Sequence, residues 1–446
     1  MFGISIGRSA SAALLGLACG VGSVPALAQD NTQFVPIVGY RMGQFASVGS
    51  GFYSGMVDYF NMINARDGGV NGVKLTWEEC ETEYDNARGV ECYERLKKKG
   101  PTGGTLVQPM STGITYSILE RSLADKIPLV TIGYGRTDTS DGRVFPYAFP
   151  MITNYWNQTT VIIKYMGQRL GGVDKLKGKK IAHVYHDSAF GKEPIPVLED
   201  LASKYGFELV LLPVPPPGVD QQAQWLKVRQ EKADFALLWA AGVMAPTAIK
   251  TAAKVGYPRD RVIGIHWSGS EEDVIPAGDA GKGYISATFS ATGTSFPMVQ
   301  DVMKHVYKTN KGSLDDKSRI GTIYWNRGLI GGMVTVEAIR IAQEKYGKGK
   351  PVTGEQVRWA LEHIKLDNAR LKQLGAEGLM PPTVISCADH EGSGMIKFQQ
   401  WHGTKWKPVS DWIAPERELV RAKIEASSAA YAREKGITLR DCSKES

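Results

Sequence analysis

The residues whose types and spacing best suit chemistry are Ser111 and Thr112, in the segment Gln108-Pro109-Met110-Ser111-Thr112-Gly113. There an apolar run ends and a helical period begins near Ile114. A hydroxyl at such a junction caps the helix by accepting from its first amides. At the carboxyl end of a strand in an open parallel sheet, the same junction also offers free N–H groups and a partial positive charge to an anion. Carboxylate binding is therefore expected there beside the capping. Two more loops should share that sheet edge. One is Gly133-Tyr134-Gly135, whose glycines let backbone approach a ligand, and the other is His186-Asp187-Ser188-Ala189-Phe190-Gly191.

Other patterns carry less. Gly49, Gly51 and Gly55 are one residue too widely spaced for a dinucleotide fingerprint and read as a flexible strand-to-helix loop. A literal G-x-S-x-G occurs only at Gly3–Gly7, inside the leader described next. His183 and His186 fall on opposite faces of an extended strand, so no metal is expected on them. Glu271, Glu272 and Asp273 have no nucleophile or oxyanion site beside them. Neither an enzymatic centre nor a cofactor is expected.

The chain opens with Arg8, an uncharged stretch to Val24, and Ala26-Leu27-Ala28, the pattern of a secretory signal peptide cleaved after Ala28. Lipoprotein processing at Cys19 is the weaker alternative, because Gly16-Leu17-Ala18 lacks leucine at the usual place. Export puts the remaining cysteines, Cys80, Cys92, Cys387 and Cys442, in an oxidising compartment. Of three possible pairings, Cys80 with Cys92 and Cys387 with Cys442 is favoured, since the first closes a small loop and the second tethers the tail. The formal net charge of +7 resides in clusters such as Lys97-Lys98-Lys99 that suit solvated faces, and no nucleic-acid partner is expected.

Hydrophobic content of 43% supports substantial cores. From Phe34 onward, branched runs alternate with segments of helical period, the signature of α/β layering. Strands are expected at 34–39, 73–79, 105–108 and 129–132, with a helix carrying Met56, Phe60 and Ile63 on one stripe. A second series starts after residue 146, with strands at 180–185, 207–212, 234–239 and 261–266 and a helix at 195–205. A long apolar helix near 324–346, two hairpin-like strands within 395–409 and a charged helix near 415–435 complete the reading. The fold expected is two doubly wound parallel-sheet lobes joined by a multi-strand hinge. Residues 1–28 form the leader, 29–150 with 285–380 the first lobe, and 151–284 with 381–446 the second lobe and a C-terminal extension.

The chain resembles the periplasmic leucine/isoleucine/valine-binding proteins, the type I solute-binding proteins of ABC importers. The resemblance rests on Val38–Gly43, Asn64–Gly72, the Ser111-Thr112 loop, His186–Gly191, Gly278–Gly283 and Phe398–Trp401, in that order along the chain. It implies a periplasmic clamp that captures a small carboxylate-bearing solute between its lobes and presents it to a membrane permease. Ser111, Thr112 and the backbone of Gly133, Tyr134 and Gly135 would hold the ligand carboxylate, and Glu271 its ammonium. Phe190 fills the family's aromatic position before glycine without the customary hydroxyl, and Trp239 and Trp267 stand where the opposite lobe closes over the ligand. Core packing is the competing role for each tryptophan. An α-amino acid is favoured if a carboxylate faces the pocket; otherwise an aromatic or aliphatic carboxylic acid or amide is equally favoured. An exported sensor or hydrolase is the remaining alternative.

Overall fold

A computed structural model describes residues 31–445 of the chain, and the leader expected at residues 1–28 lies outside the described residues. The first sheet is built on β1 (Thr32–Gly39), all of whose positions after Thr32 are buried. It pairs in parallel with β2 (Lys74–Glu81), from Thr32 opposite Lys74 to Gly39 opposite Glu81. On the other side of β1, the Thr105 amide donates to the Phe34 carbonyl at 3.2 Å, and Val107 bridges in parallel to Leu129. Leu129 belongs to β3 (Leu129–Val130), which pairs with β4 (Ala148–Phe149). The resulting order is β2, β1, the 105–107 segment, β3, β4.

Three helices of this lobe matter to the cleft: α1 (Ala46–Asp67), α2 (Asn86–Leu96) and α3 (Thr112–Asp125). Gly49, Gly51 and Gly55 lie inside α1 rather than in a flexible loop. Their lack of side chains lets neighbouring backbone press close: a Cβ at Gly49 would stand 1.8 Å from the Tyr40 carbonyl oxygen, and one at Gly55 2.1 Å from that of Trp325. Met56, Phe60 and Ile63 are buried together, as the helical stripe requires.

The second lobe starts at α4 (Tyr155–Arg169) and builds one seven-stranded sheet. Its strands are β5 (Lys180–His186), β6 (Glu208–Val214), β7 (Phe235–Trp239), β8 (Val262–Gly264) and β9 (Ile285–Thr288), with α5 (Ile195–Tyr205) between β5 and β6. β5 lies between β6 and β7, and all five strands run parallel. Because Ile285 pairs with Ile263, β9 belongs to this sheet, and the lobe boundary drawn at residue 285 falls instead after Thr288.

The chain then returns to the first lobe for α6 (Ile323–Tyr346), packed along α1, and for the short antiparallel pair β10 (Lys365–Leu366) and β11 (Thr383–Val384). It crosses again near Gly394, whose amide donates to the Ile152 carbonyl at 2.9 Å. Back in the second sheet, β12 (Lys397–Trp401) pairs antiparallel with β9, and β13 (Trp406–Pro408) forms the edge. The final helix, α7 (Arg417–Lys435), touches both lobes: Ser428 Oγ donates to Asp141 at 2.7 Å, and Lys423 pairs with Asp200 at 2.6 Å. The tail therefore straddles the lobes instead of belonging wholly to the second. The disulfides are Cys80–Cys92 and Cys387–Cys442, the pairing favoured from the sequence.

Candidate ligand-binding cleft

Both parallel sheets reverse their strand order, beside β1 in one and beside β5 in the other, and such a reversal leaves a crevice at the carboxyl ends of the strands. The two crevices face one another. The first lobe contributes Tyr40, Phe45, Val48, Tyr84, Met110, Thr112 and Tyr134 to a cleft, and the second contributes Tyr155, Phe190, Ala241 and Trp267. The space between these side chains, open solvent included, is about 280 Å³.

The loop leading into α3 is held by hydroxyls. Met110 adopts a left-handed backbone with φ of 50°, a conformation that costs a non-glycine residue on the order of 1 kcal/mol. Its amide donates to Tyr134 Oη at 2.8 Å, and its carbonyl accepts from Tyr40 Oη at 3.0 Å. Behind it, Tyr53 Oη donates to the Gln108 carbonyl at 3.1 Å, and the Gln108 side chain donates to Gly331 and Thr335 of α6. So clamped, the loop directs the first turn of α3 at the cleft. Ser111 is the cap: its Oγ accepts from the Ile114 amide at 3.3 Å. Thr112, 1% exposed, lines the cleft, and its Oγ1 makes no well-aligned hydrogen bond, although the Tyr155 phenol lies beside it.

Tyr84 lies beside Ser111 and the Thr112 backbone, and Tyr155 beside the Thr112 and Trp267 side chains. Burial above all raises the phenols of Tyr40, Tyr134 and Tyr155 far beyond their ordinary range and that of Tyr84 to about 12. All four therefore stay neutral and can donate hydrogen bonds. Among the described residues lining the cleft there is no carboxylate.

The residues singled out from the sequence part company here. Thr112, Tyr134, Phe190 and Trp267 line the cleft; Ser111 and Trp239 stand behind it. Trp239 is fully buried against Tyr155 and Phe190, at ring distances of 5.2 and 6.3 Å. Gly133 and Gly135 are not on the wall: both have positive φ, and a Cβ on Gly133 would meet Phe289 at 2.7 Å and His266 at 3.1 Å. The Gly133 carbonyl accepts from Gln158 Nε2 at 3.0 Å, so this backbone joins the lobes rather than offering itself to a ligand. Glu271 is also off the wall. Its carboxylate accepts from Thr292 Oγ1 at 2.5 Å and from the Ile323 amide at 3.0 Å, which places it at the free amides that open α6.

His183 and His186 are both buried, and burial lowers each ring to about 4, so both stay neutral; His183 Nε2 bonds the Gly191 carbonyl and His186 Nδ1 the Ser188 hydroxyl. The lobes meet on either side of the cleft. The Val243 amide donates to the Gln44 carbonyl at 3.0 Å, Phe45 lies edge-on to His186, and Glu193 accepts from Tyr116 Oη and from the Thr137 amide.

Tyr40, Phe45, Val48, Tyr84, Met110, Tyr155 and Ala241 also line the cleft. Tyr40 and Met110 fall in segments the sequence had marked, and Tyr155 opens a recognisable helix. Tyr84 gave no local signal.

Comparisons with known proteins agree with this geometry. A family model for periplasmic binding proteins matches residues 32–405. A structure from the Pseudomonas fluorescens group, described as an ABC transporter permease, is 46% identical, covers 93% of this chain and 100% of that one, and superposes with a TM-score of 0.86. Among the described residues no helix is long and apolar enough to cross a membrane. A branched-chain amino acid ABC transporter protein from Thermus thermophilus, with bound valine, is 20% identical, with 88% and 99% coverage and a TM-score of 0.74. A solute-binding protein from R. palustris in complex with benzoate is 15% identical, with 86% and 98% coverage and a TM-score of 0.66. At such identity the last two speak for the fold alone. No curated protein matches.

Proposed function

Because the chain belongs to the periplasmic binding protein family, as the substrate-binding protein of an ABC transporter, we propose that its solute is a small aromatic carboxylic acid. The family role supplies the frame: an exported, periplasmic protein that binds a small ligand and meets a membrane permease, without turnover. The choice of solute rests on one observation, the Thr112 hydroxyl without a well-aligned hydrogen bond in the first turn of α3, within a cleft walled by aromatic rings and lacking a carboxylate. A buried hydroxyl without a partner costs roughly 1 to 3 kcal/mol, and an anion at the α3 amides would satisfy it and meet the helix dipole together. Tyr84 and Tyr155 would donate to the same group. The rings of Phe45, Phe190 and Trp267 suit a flat apolar body.

An α-amino acid fits less well. Its ammonium needs an acceptor of opposite charge, and Glu271 is occupied at the start of α6. Binding proceeds by closure: the solute docks on the first lobe, and Phe190 and Trp267 of the second shift the population to the closed form. A thermal-shift panel of benzoate, 4-hydroxybenzoate, benzamide, phenylalanine, leucine and valine tests the assignment. A ligand at one hundred times its Kd stabilises by about 2.7 kcal/mol, a readily measured rise in Tm. The aromatic acids should produce it. A shift with leucine or valine and none with the aromatic acids would overturn the assignment.

A further inference from the structure

Arg327, in the second turn of α6, is 1% exposed. Its guanidinium donates from Nε to Ser290 Oγ at 3.0 Å, from Nη1 to the His266 carbonyl at 2.8 Å and from Nη2 to Thr288 Oγ1 at 3.4 Å. All three acceptors are neutral, and among the described residues no carboxylate forms an ion pair with it. The acidic neighbours are engaged elsewhere. Glu272 pairs with Arg319 at 2.8 Å, Glu271 caps α6, and Asp273 accepts from Tyr324 Oη at 2.6 Å and the Ser270 amide at 2.8 Å. Burial first of all drives the Asp273 carboxyl well above the usual range.

Removing a cation from water costs several kcal/mol unless an opposite charge compensates it. Partial compensation comes from aromatic faces: the guanidinium carbon lies 5.1 Å from the Trp267 ring centroid and 4.6 Å from that of Phe289. Trp267 is also cleft wall, so one ring touches both the buried cation and the space where the solute sits.

We infer that Arg327 is the buried charge that makes this cleft prefer a carboxylate over its neutral amide, acting through Trp267 as a positioning residue that never touches the ligand. The inference rests on the carboxylate assignment above. It explains why a solute without an ammonium would be retained: the anion supplies a further counter-charge to a guanidinium that no carboxylate of the chain contacts directly. At the separation of one interposed ring and an effective dielectric near 20, the attraction corresponds to a preference on the order of tenfold or more.

The test compares Kd for benzoate and benzamide by calorimetry on the full mature protein, in wild type, R327M and R327Q. Methionine keeps much of the stem volume. Glutamine keeps an N–H for the His266 carbonyl and serves if R327M does not fold. Both variants should lose about tenfold or more of the benzoate-to-benzamide ratio while benzamide binding stays within about threefold. A merely structural role would weaken both ligands alike, and an unchanged ratio overturns the inference while leaving the carboxylate assignment standing. A wild type that binds benzamide as tightly as benzoate would overturn both.

Discussion

In the carboxylate site proposed above, Thr112 is the residue to test, because its hydroxyl is buried, lacks a well-aligned hydrogen bond and stands at the opening of α3. Valine at this position keeps the shape and removes the polar atom. The unliganded protein should then hold its Tm or gain slightly, since a desolvated hydroxyl is lost, whereas benzoate binding should weaken by about 1 kcal/mol, roughly five- to tenfold. Calorimetry of T112V beside its melting curve checks both halves; a variant losing stability and keeping affinity would assign Thr112 to packing. The Ser111-Thr112 pair was legible in sequence because capping is local grammar: a short polar run between an apolar strand and a helical period. Tyr84 was not legible, since it follows β2 and is brought to the cleft by tertiary packing against Tyr40 and Phe45, at ring distances of 5.1 and 4.2 Å. Glu271 lies off the wall for a reason equally physical. Chain order puts it near the cleft, but the free amides at the start of α6 draw the carboxylate away.

At the scale of elements, local patterns translated well where one face of a helix or strand is buried. The helix expected over 195–205 is α5, and the long apolar helix is α6 to within a residue. The expected strand at 105–108 survives only as a bridge at Val107, since its flanks turn into loops that serve the cleft. What sequence does not show is how elements of different lobes meet. Glu193 follows the single turn Ala189–Lys192 and reaches Tyr116 of α3 and the Thr137 amide. Burial foremost, opposed by those hydrogen bonds and aided by Asp138, raises its carboxyl from the ordinary 4.5 to about 7. When the lobes part, the group returns to solvent and to the ordinary range. The closed form thus binds the extra proton, so closure is favoured at low pH and loses that advantage as pH rises from the carboxylate range through about 7. Benzoate affinity should fall between about pH 5.5 and about pH 7.5 and then level off, while E193Q, neutral throughout, should show a flat profile. An equal slope in both proteins would place the titration elsewhere.

Across the whole molecule, the chain crosses between the lobes more than once and its tail contacts both. Past residue 381 the chain does not remain in the second lobe: His390 bonds the Ala148 carbonyl at 2.7 Å, and α7 then spans from Asp200 to Asp141. Its end is secured twice, by Cys387–Cys442 and by Glu362, which gathers His390, Arg358 and Arg440. Burial alone would raise that carboxyl, but hydrogen bonds from His390 and Arg440 outweigh it and hold Glu362 down to about 2. A carboxyl so depressed stabilises the fold above the ordinary range of 4.5 and loses that contribution as pH falls toward 2, so the cluster secures the tail at neutral pH. The disulfides then divide the remaining constraint by loop length. Cys80–Cys92 closes a separation of 12 residues and Cys387–Cys442 one of 55. In the chain-entropy account these correspond to about 3 and about 4 kcal/mol. Denaturant unfolding of C80S/C92S and C387S/C442S at neutral pH should therefore rank the second pair as the costlier loss. The reverse ranking would mean that α7 is held by its contacts with both lobes, and that the tail needs no covalent tie to stay across them.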